Sequence, residues 1–394
     1  MSMENTMQGK RILFFIPEGN IVSNGLYISQ VLGLIRYCAS CGAECLVFQS
    51  YIEAKEEVVE FEPNIRVVSD CRQYGYVPFV FQPRLYWNMI RRHLKVIDVF
   101  RPTHIYTRQY LSCLAARKLS SLLNAKLIMS RRGAEVAERL IGGRFKDHVA
   151  AFLMKFAVSK AIKGCSHINT VCSYLARNTE EDYGKQTSVL PCCVQDYAFE
   201  RMPHDWILEN RAKMGLNSSD KVMVYSGGVN AWQRIDEVVA LMKEIHKRDG
   251  AIRFIFLSKE VEAIRGKCQA VNLPENVYHI RSCAHREVSS YLQLADCGVI
   301  LRANTIVNRA ASPIKIGEYL AAGLGIIAQP WIGDVGECVI GRSFACKYED
   351  ISDTGEVLEF IHGLTDADKE AARTFARGYY SYDGNKAAVI KMFS

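Results

Sequence analysis

Short, unbroken apolar runs alternate with helical stretches along both halves of the chain, and this alternation restricts the fold more than any other feature. In the first half RILFFIP (Arg11 to Pro17), ECLVFQS (Glu44 to Ser50), THIYTR, KLIMSR (Lys126 to Arg131) and HINTVCS (His167 to Ser173) read as strands. Runs without polar alternation belong to strands buried on both faces, as in a parallel sheet covered by helices. The second half repeats the scheme. KVMVYSGG (Lys221 to Gly228) is a strand ending in glycines, Arg234 to Arg248 a helix, and IRFIFLS (Ile252 to Ser258) a strand. Asn276 to Ile280, Cys297 to Leu301 and Gly325 to Ala328 are further strands. The predicted class is α/β, with two doubly wound, Rossmann-like domains facing a central cleft. The expected boundaries are 1–200, a polar hinge at 201–220, a second domain at 221–375, and a C-terminal helix over 376–394 that packs back on the first domain. A length of 394 residues suits two domains of ordinary size.

The stretch NRAASPIKIGEYLAAGLGII, Asn308 to Ile327, points to a ligand. Ser312 reads as an N-cap, Pro313 as the first helical residue and Gly323 as the stop. The third helical position ordinarily favours Glu or Gln, and here it is Lys315. A cation in the first turn opposes the helix dipole. A phosphate bound jointly by the backbone N–H groups and the ammonium removes that conflict. Glu318, three residues on, shares its face, so phosphate and ribose hydroxyls would meet a donor and an acceptor. The plainer reading is an exposed Lys315–Glu318 pair.

The net charge of +7 lies wholly in residues 1–200, where 25 Lys and Arg face 18 Asp and Glu, against 24 and 24 in the remainder. Within Arg84 to Lys163 the count is 17 to 4. Aliphatic and aromatic residues recur there at helical spacing, with basic residues between them. Segment 84–163 therefore reads as a solvated basic face, or as one suited to an anionic membrane surface or a phosphate-bearing acceptor. No nucleic-acid motif accompanies the charge, so no nucleic-acid partner is expected. Met1 to Gln8 is polar and no long uncharged apolar run follows, so the expected location is cytoplasmic, or peripheral at the inner face of the cell membrane. Fourteen cysteines then read as reduced thiols. Cys38, Cys41 and Cys45 lack the second ligand pair that a zinc site needs, and no metal is expected.

Several segments together resemble retaining GT-B glycosyltransferases of family 4, the glycosyl transferases group 1. SPIKIGEYLAAGLGIIA is similar to that family's nucleotide-sugar segment. SHINTVCSYLARNTEEDYGKQTSVLPCCVQDYAF (Ser166 to Phe199) is similar to the close of its first domain, RRGAEVAE (Arg131 to Glu138) to its arginine-glycine loop, and VYSGGVNAWQ to the first strand and loop of its donor domain. The resemblance implies transfer of a sugar from a nucleoside-diphosphate donor, of UDP or GDP type, to a lipid-linked or saccharide acceptor. It implies no further cofactor and no metal. By the same resemblance 1–200 binds the acceptor and 221–375 the nucleotide sugar.

Carried onto this chain, the resemblance puts Lys315 at the donor pyrophosphate, Glu318 at the ribose and Gly25 near the donor phosphates. Ser312 and Pro313 open the same segment. The family commonly has a glutamate eight residues before Glu318, and here that position is Ala310. Asn308, Arg309 and Arg302 are the positional substitutes. Gly228 and Gln233 stand where an Arg and a Lys are usual, and Arg234 is the candidate for the missing cation, with catalytic weight on Lys315, Arg234 and Arg132. Arg108 and Arg132 end apolar strands and, with His104, are the candidate acceptor contacts. Two rival readings stay open. One is a nucleotide-sugar epimerase of the same fold, and the other a nucleotide-sugar-binding protein without turnover.

Overall fold

In a computed structural model, residues 6–19, 21, 27–50, 58–70 and 82–394 are described. The chain divides into two compact units, Met1–Pro191 with Asn385–Ser394, and Cys192–Gly384.

The first unit is built on eight strands: β1 (Arg11–Ile16), β2 (Glu44–Ser50), β3 (Val58–Glu62), β4 (Ile65–Asp70), β5 (His104–Thr107), β6 (Lys126–Arg131), β7 (His167–Thr170) and β8 (Ser188–Val189). Their order is β3-β4-β2-β1-β5-β6-β7-β8, parallel except for the edge strand β3. The register sets Ile12 beside Cys45 on one side and His104 on the other. Ile12 to Ile16 are fully buried, as a strand covered on both faces requires. The C-terminal helix Lys386–Met392 lies against β7 and β8. Beside it, Phe393 packs against Phe14 and Tyr106.

The second unit has six parallel strands: β9 (Val222–Ser226), β10 (Arg253–Leu257), β11 (Tyr278–Arg281), β12 (Cys297–Ile300), β13 (Gly325–Ala328) and β14 (Ala345–Lys347), in the order β11-β10-β9-β12-β13-β14. The strands alternate between two apolar layers. Val222, Val224 and Ile255 enter one core, and Met223, Tyr225 and Phe254 the other. This period of two, with helices on both faces, is the doubly wound arrangement.

Two boundaries differ from the sequence expectation. The division of the chain falls at Pro191/Cys192, and segment 201–220 packs within the second unit. Its helix His204–Lys213 is anchored by Arg211, whose buried guanidinium donates to the carbonyls of Leu294, Asn217 and Asp220. A polar composition suggested a hinge, yet one buried arginine with three carbonyl partners fixes the segment. At the other end, helix Asp366–Tyr379 stays with the second unit, and the chain joins the first unit only from Asn385.

Candidate active site

In an open parallel sheet, ligands bind beyond the carboxyl ends of the strands, where the chain order reverses. In the second unit that point lies between β9 and β12, which are neighbours although β10 follows β9 in sequence. Three pieces of chain meet there: the Gly227-Gly228 loop after β9, Arg302 after β12, and the start of helix Ile314–Ala322.

The helix is fixed from its buried side. Tyr319 is fully buried and lies over Gly298, where an added Cβ would stand 2.4 Å from the ring. Its hydroxyl accepts the N–H of Ser226 at 2.8 Å, tying the helix to the end of β9. Gly323 closes the helix in the left-handed region, φ +84°, where glycine carries no Cβ penalty. The start differs from expectation. Pro313 is the N-cap, and the Ser312 hydroxyl accepts the N–H of Cys192 at 3.1 Å instead of capping the helix. The helix is thereby pinned to the chain entering the unit; of its first-turn N–H groups that of Ile316 donates to the Pro313 carbonyl at 3.2 Å, while those of Ile314 and Lys315 precede the first intrahelical bond.

Lys315 and Glu318 sit together on this helix, half-buried. The Lys315 ammonium donates to Gln233 Oε1 and lies 5.2 Å from the Tyr225 ring centroid. It also fills the space beside Gly227, where an added Cβ would come within 2.0 Å of Nζ. Gly227 has φ +148°, so both its backbone and its contact favour glycine. The Tyr225 hydroxyl, 2.7 Å from the Gly228 carbonyl and 3.0 Å from Gln233 Oε1, holds the loop in place. Burial pushes the Lys315 ammonium down to about 7, and the nearby Arg302 charge pushes the same way. Glu318 opposes this only in part. Burial also raises the Glu318 carboxyl above its ordinary range, against the charges of His285 and Lys315.

Arg302 is positioned through its backbone. Its N–H donates to Gln329 and its carbonyl accepts from the Trp331 indole at 2.8 Å, while its guanidinium donates to the carbonyl of Trp232 at 3.3 Å. Among the described residues neither Lys315 nor Arg302 has a carboxylate within ion-pair distance. Two half-buried cations at a helix N-terminus, with one carboxylate a turn away, have the chemistry to hold an anion beside a hydrogen-bond donor.

The remaining donor-side candidates fall elsewhere or act differently. Arg234, in the left-handed region at φ +47°, pairs with Glu237 at 2.5 Å and not with the Lys315 cluster. Asn308 is buried and donates to the carbonyl of Ala303 at 2.9 Å, shaping its own loop. Arg309 is exposed and bonds Asn304 at 2.9 Å. The Ala310 methyl is fully buried. Gly228 faces Glu260, and it is Gly227 that touches Lys315. Gly25 lies outside the described residues. Tyr225 and His285 were not singled out in the sequence. Tyr225 could have been, because it precedes a glycine pair at a strand end.

In the first unit the switch point lies between β1 and β5. Arg108 and Arg132 line one cavity of about 460 Å³ with Tyr27, Tyr110, Glu135 and Arg139. The Arg108 guanidinium stacks 4.6 Å over the Tyr27 ring and donates to Gln30. Glu18, just past the end of β1, is a carboxyl that burial pushes up to about 7, with Arg108 and Ser112 only partly opposing. His104 does not join this group. It opens β5, at the opposite end of that strand from Arg108, with Nδ1 2.8 Å from the Thr103 hydroxyl and its ring edge-on to Phe393. Burial, with Lys10 and Lys126 nearby, lowers it to about 4. The structure thus places His104 against Phe393, away from the cavity that Arg108 and Arg132 line, and does not bring the three expected acceptor contacts together.

Residues 207–359 match the family model Glycosyl transferases group 1. The matched stretch contains Tyr225 to Gln233, Arg302, Lys315 and Glu318. No curated protein matches the chain in sequence. Among solved structures, sucrose-phosphate synthase from Thermosynechococcus elongatus superposes with a TM-score of 0.73 at 14% identity, over 97% of each chain. WaaG, a glycosyltransferase involved in lipopolysaccharide biosynthesis, gives 0.69 at 14% identity, over 96% of this chain and 99% of its own. HepE from Anabaena, in complex with UDP and glucose, gives 0.67 at 13% identity, over 96% of this chain and 98% of its own. The fold is that of GT-B glycosyltransferase structures, with two Rossmann-like α/β units.

Proposed function

We propose that the protein is a glycosyltransferase that moves a sugar from a nucleoside diphosphate to an acceptor held by the first unit. The observation that carries this reading is the convergence of Lys315, Arg302 and a helix N-terminus at the β9/β12 switch point, within the residues that match the family model. The diphosphate lies against Lys315, Arg302 and the first-turn N–H groups, and Glu318 accepts from the ribose hydroxyls. As the bond from the anomeric carbon to the diphosphate breaks, negative charge grows on the phosphate oxygen that leaves. Cations and N–H groups already in place stabilise that charge without a metal ion. The acceptor hydroxyl attacks from the face the diphosphate leaves and passes its proton to the leaving phosphate, so the anomeric configuration is retained.

The cavity lined by Arg108 and Arg132 suits an acceptor bearing phosphate or carboxylate, in keeping with a lipid-linked or surface-polysaccharide precursor. The test is a panel of UDP, GDP and ADP sugars, read first as thermal stabilisation and then as release of nucleoside diphosphate with candidate acceptors. Absence of stabilisation by every nucleotide would overturn the reading. Buried Ala310, where a donor-sugar glutamate is usual, favours one second reading, binding without transfer. Tight binding without turnover on any acceptor would select it, and epimerised donor recovered without acceptor would select an epimerase.

A further inference from the structure

Of the thirteen large apolar side chains exposed among the described residues, seven fall between Leu140 and Phe156. They belong to the end of helix Glu135–Leu140, the turn after it, and helix Phe145–Lys163. At 3.6 residues per turn, Phe145, Val149, Phe152, Leu153 and Phe156 fall within about 100° of arc. Phe145 is 84% exposed, Phe152 64% and Phe156 62%. The opposite side of the same helix carries Ala150, Ala151, Met154, Val158 and Ala161, which are buried against the unit. This helix is therefore apolar on two opposed faces, and only one of them is used by the fold.

Charge on the unused side has one sign. Lys146 flanks the stripe on one side and Lys155 on the other, and Lys160 and Lys163 continue it, all exposed. The single acidic residue of the helix, Asp147, is 2% exposed and paired with Arg139 and Arg144 at 3.2 and 3.1 Å. An isolated exposed leucine is ordinary, but a contiguous aromatic stripe rimmed by cations is an interaction surface. No helix among the described residues is long and apolar enough to cross a membrane, so the surface would lie on a bilayer and not within it.

We propose that this face inserts into the surface of an anionic lipid bilayer. The apolar stripe enters the boundary between headgroups and acyl chains, and the flanking lysines meet lipid phosphates. A second copy of the chain fits less well, because a two-fold contact would set lysine against lysine with no exposed carboxylate on the helix to offset them. The inference does not rest on glycosyl transfer. Lipid binding is read without donor or acceptor, so its failure and that of the transfer reading are distinguishable.

The test is sedimentation of the full-length protein with phosphatidylcholine vesicles, with and without about 30% phosphatidylglycerol. The expected result is binding to the anionic vesicles that weakens about tenfold or more on the neutral ones. The double variant Phe152→Ser with Phe156→Ser should lose binding by a similar factor at an unchanged melting temperature, because both side chains are exposed. Lys146→Gln with Lys155→Gln should weaken binding to the anionic vesicles only. Failure to bind anionic vesicles, or equal binding by the serine variant, would overturn the proposal. So would a concentration-dependent dimer that the serine variant disperses while neither protein binds lipid.

Discussion

The Lys315 ammonium donates to Gln233 Oε1 at the β9/β12 crevice, so a cation from a helix start and an amide from the loop after β9 meet at one point. An amide oxygen orients the ammonium without neutralising it. Burial, with Arg302 nearby and Glu318 only partly compensating, holds the ammonium down to about 7. A half-buried cation in that condition gains most from an incoming anion.

Lys315→Ala should therefore lower turnover with the preferred nucleotide sugar by about 100-fold or more, the usual loss of one donor to a developing oxyanion. Steady-state release of nucleoside diphosphate measures it. Full activity in that variant would remove Lys315 from the mechanism.

Donor binding should take up a proton near neutral pH. Free Lys315 is held down to about 7 and loses its charge as pH rises through that value, whereas a bound diphosphate raises its proton affinity. Above about pH 7, affinity should fall by up to roughly tenfold per pH unit, until the pKa of the complex is passed. The sign for stability follows from the same shift. The folded value lies below the unfolded one, so the unliganded protein gains stability as pH rises from about 7 towards the ordinary lysine value. Calorimetry in buffers of different ionisation enthalpy reads the proton, and Lys315→Met should abolish both effects.

Glu318→Gln keeps the shape and removes the charged acceptor. KM for the donor should rise by about tenfold, the worth of a hydrogen bond to a charged group, and kcat should change less.

Arg234→Ala should leave donor affinity within about threefold of the parent, and stability within about 1 kcal/mol, because Arg234 is engaged with Glu237 in a partly exposed pair. Loss of activity comparable to that of Lys315→Ala would restore Arg234 to the site.

Gly298→Ala should destabilise the second unit by roughly 1 to 3 kcal/mol through overpacking, because the new methyl meets the fully buried Tyr319 ring. The melting temperature should fall, and donor affinity with it, since Tyr319 adjoins Glu318 on the helix that carries Lys315.

The strands were legible because a parallel sheet covered on both faces demands unbroken apolar runs, and RILFFI, ECLVFQS, KLIMSR and GIIA stand where those runs were read. The glycine that stops helix Ile314–Ala322 was legible too, since a left-handed C-terminus selects glycine. Lys315 stood out locally, as a cation in a first turn. What sequence by itself could not determine was which side chains share that point. Arg234 follows Gln233 directly, yet Gln233 meets Lys315 while Arg234 turns to Glu237, because a left-handed residue at the helix entry redirects the chain. His104 opens β5 and Arg108 follows its last residue, so the two lie at opposite ends of one strand. The apolar residues of Phe145–Lys163 recur at helical spacing on both faces, and only packing decided that Ala150, Met154 and Val158 are core while Phe145, Phe152 and Phe156 face outward. Periodicity is a property of the local chain, whereas proximity and exposure depend on which elements the fold brings together.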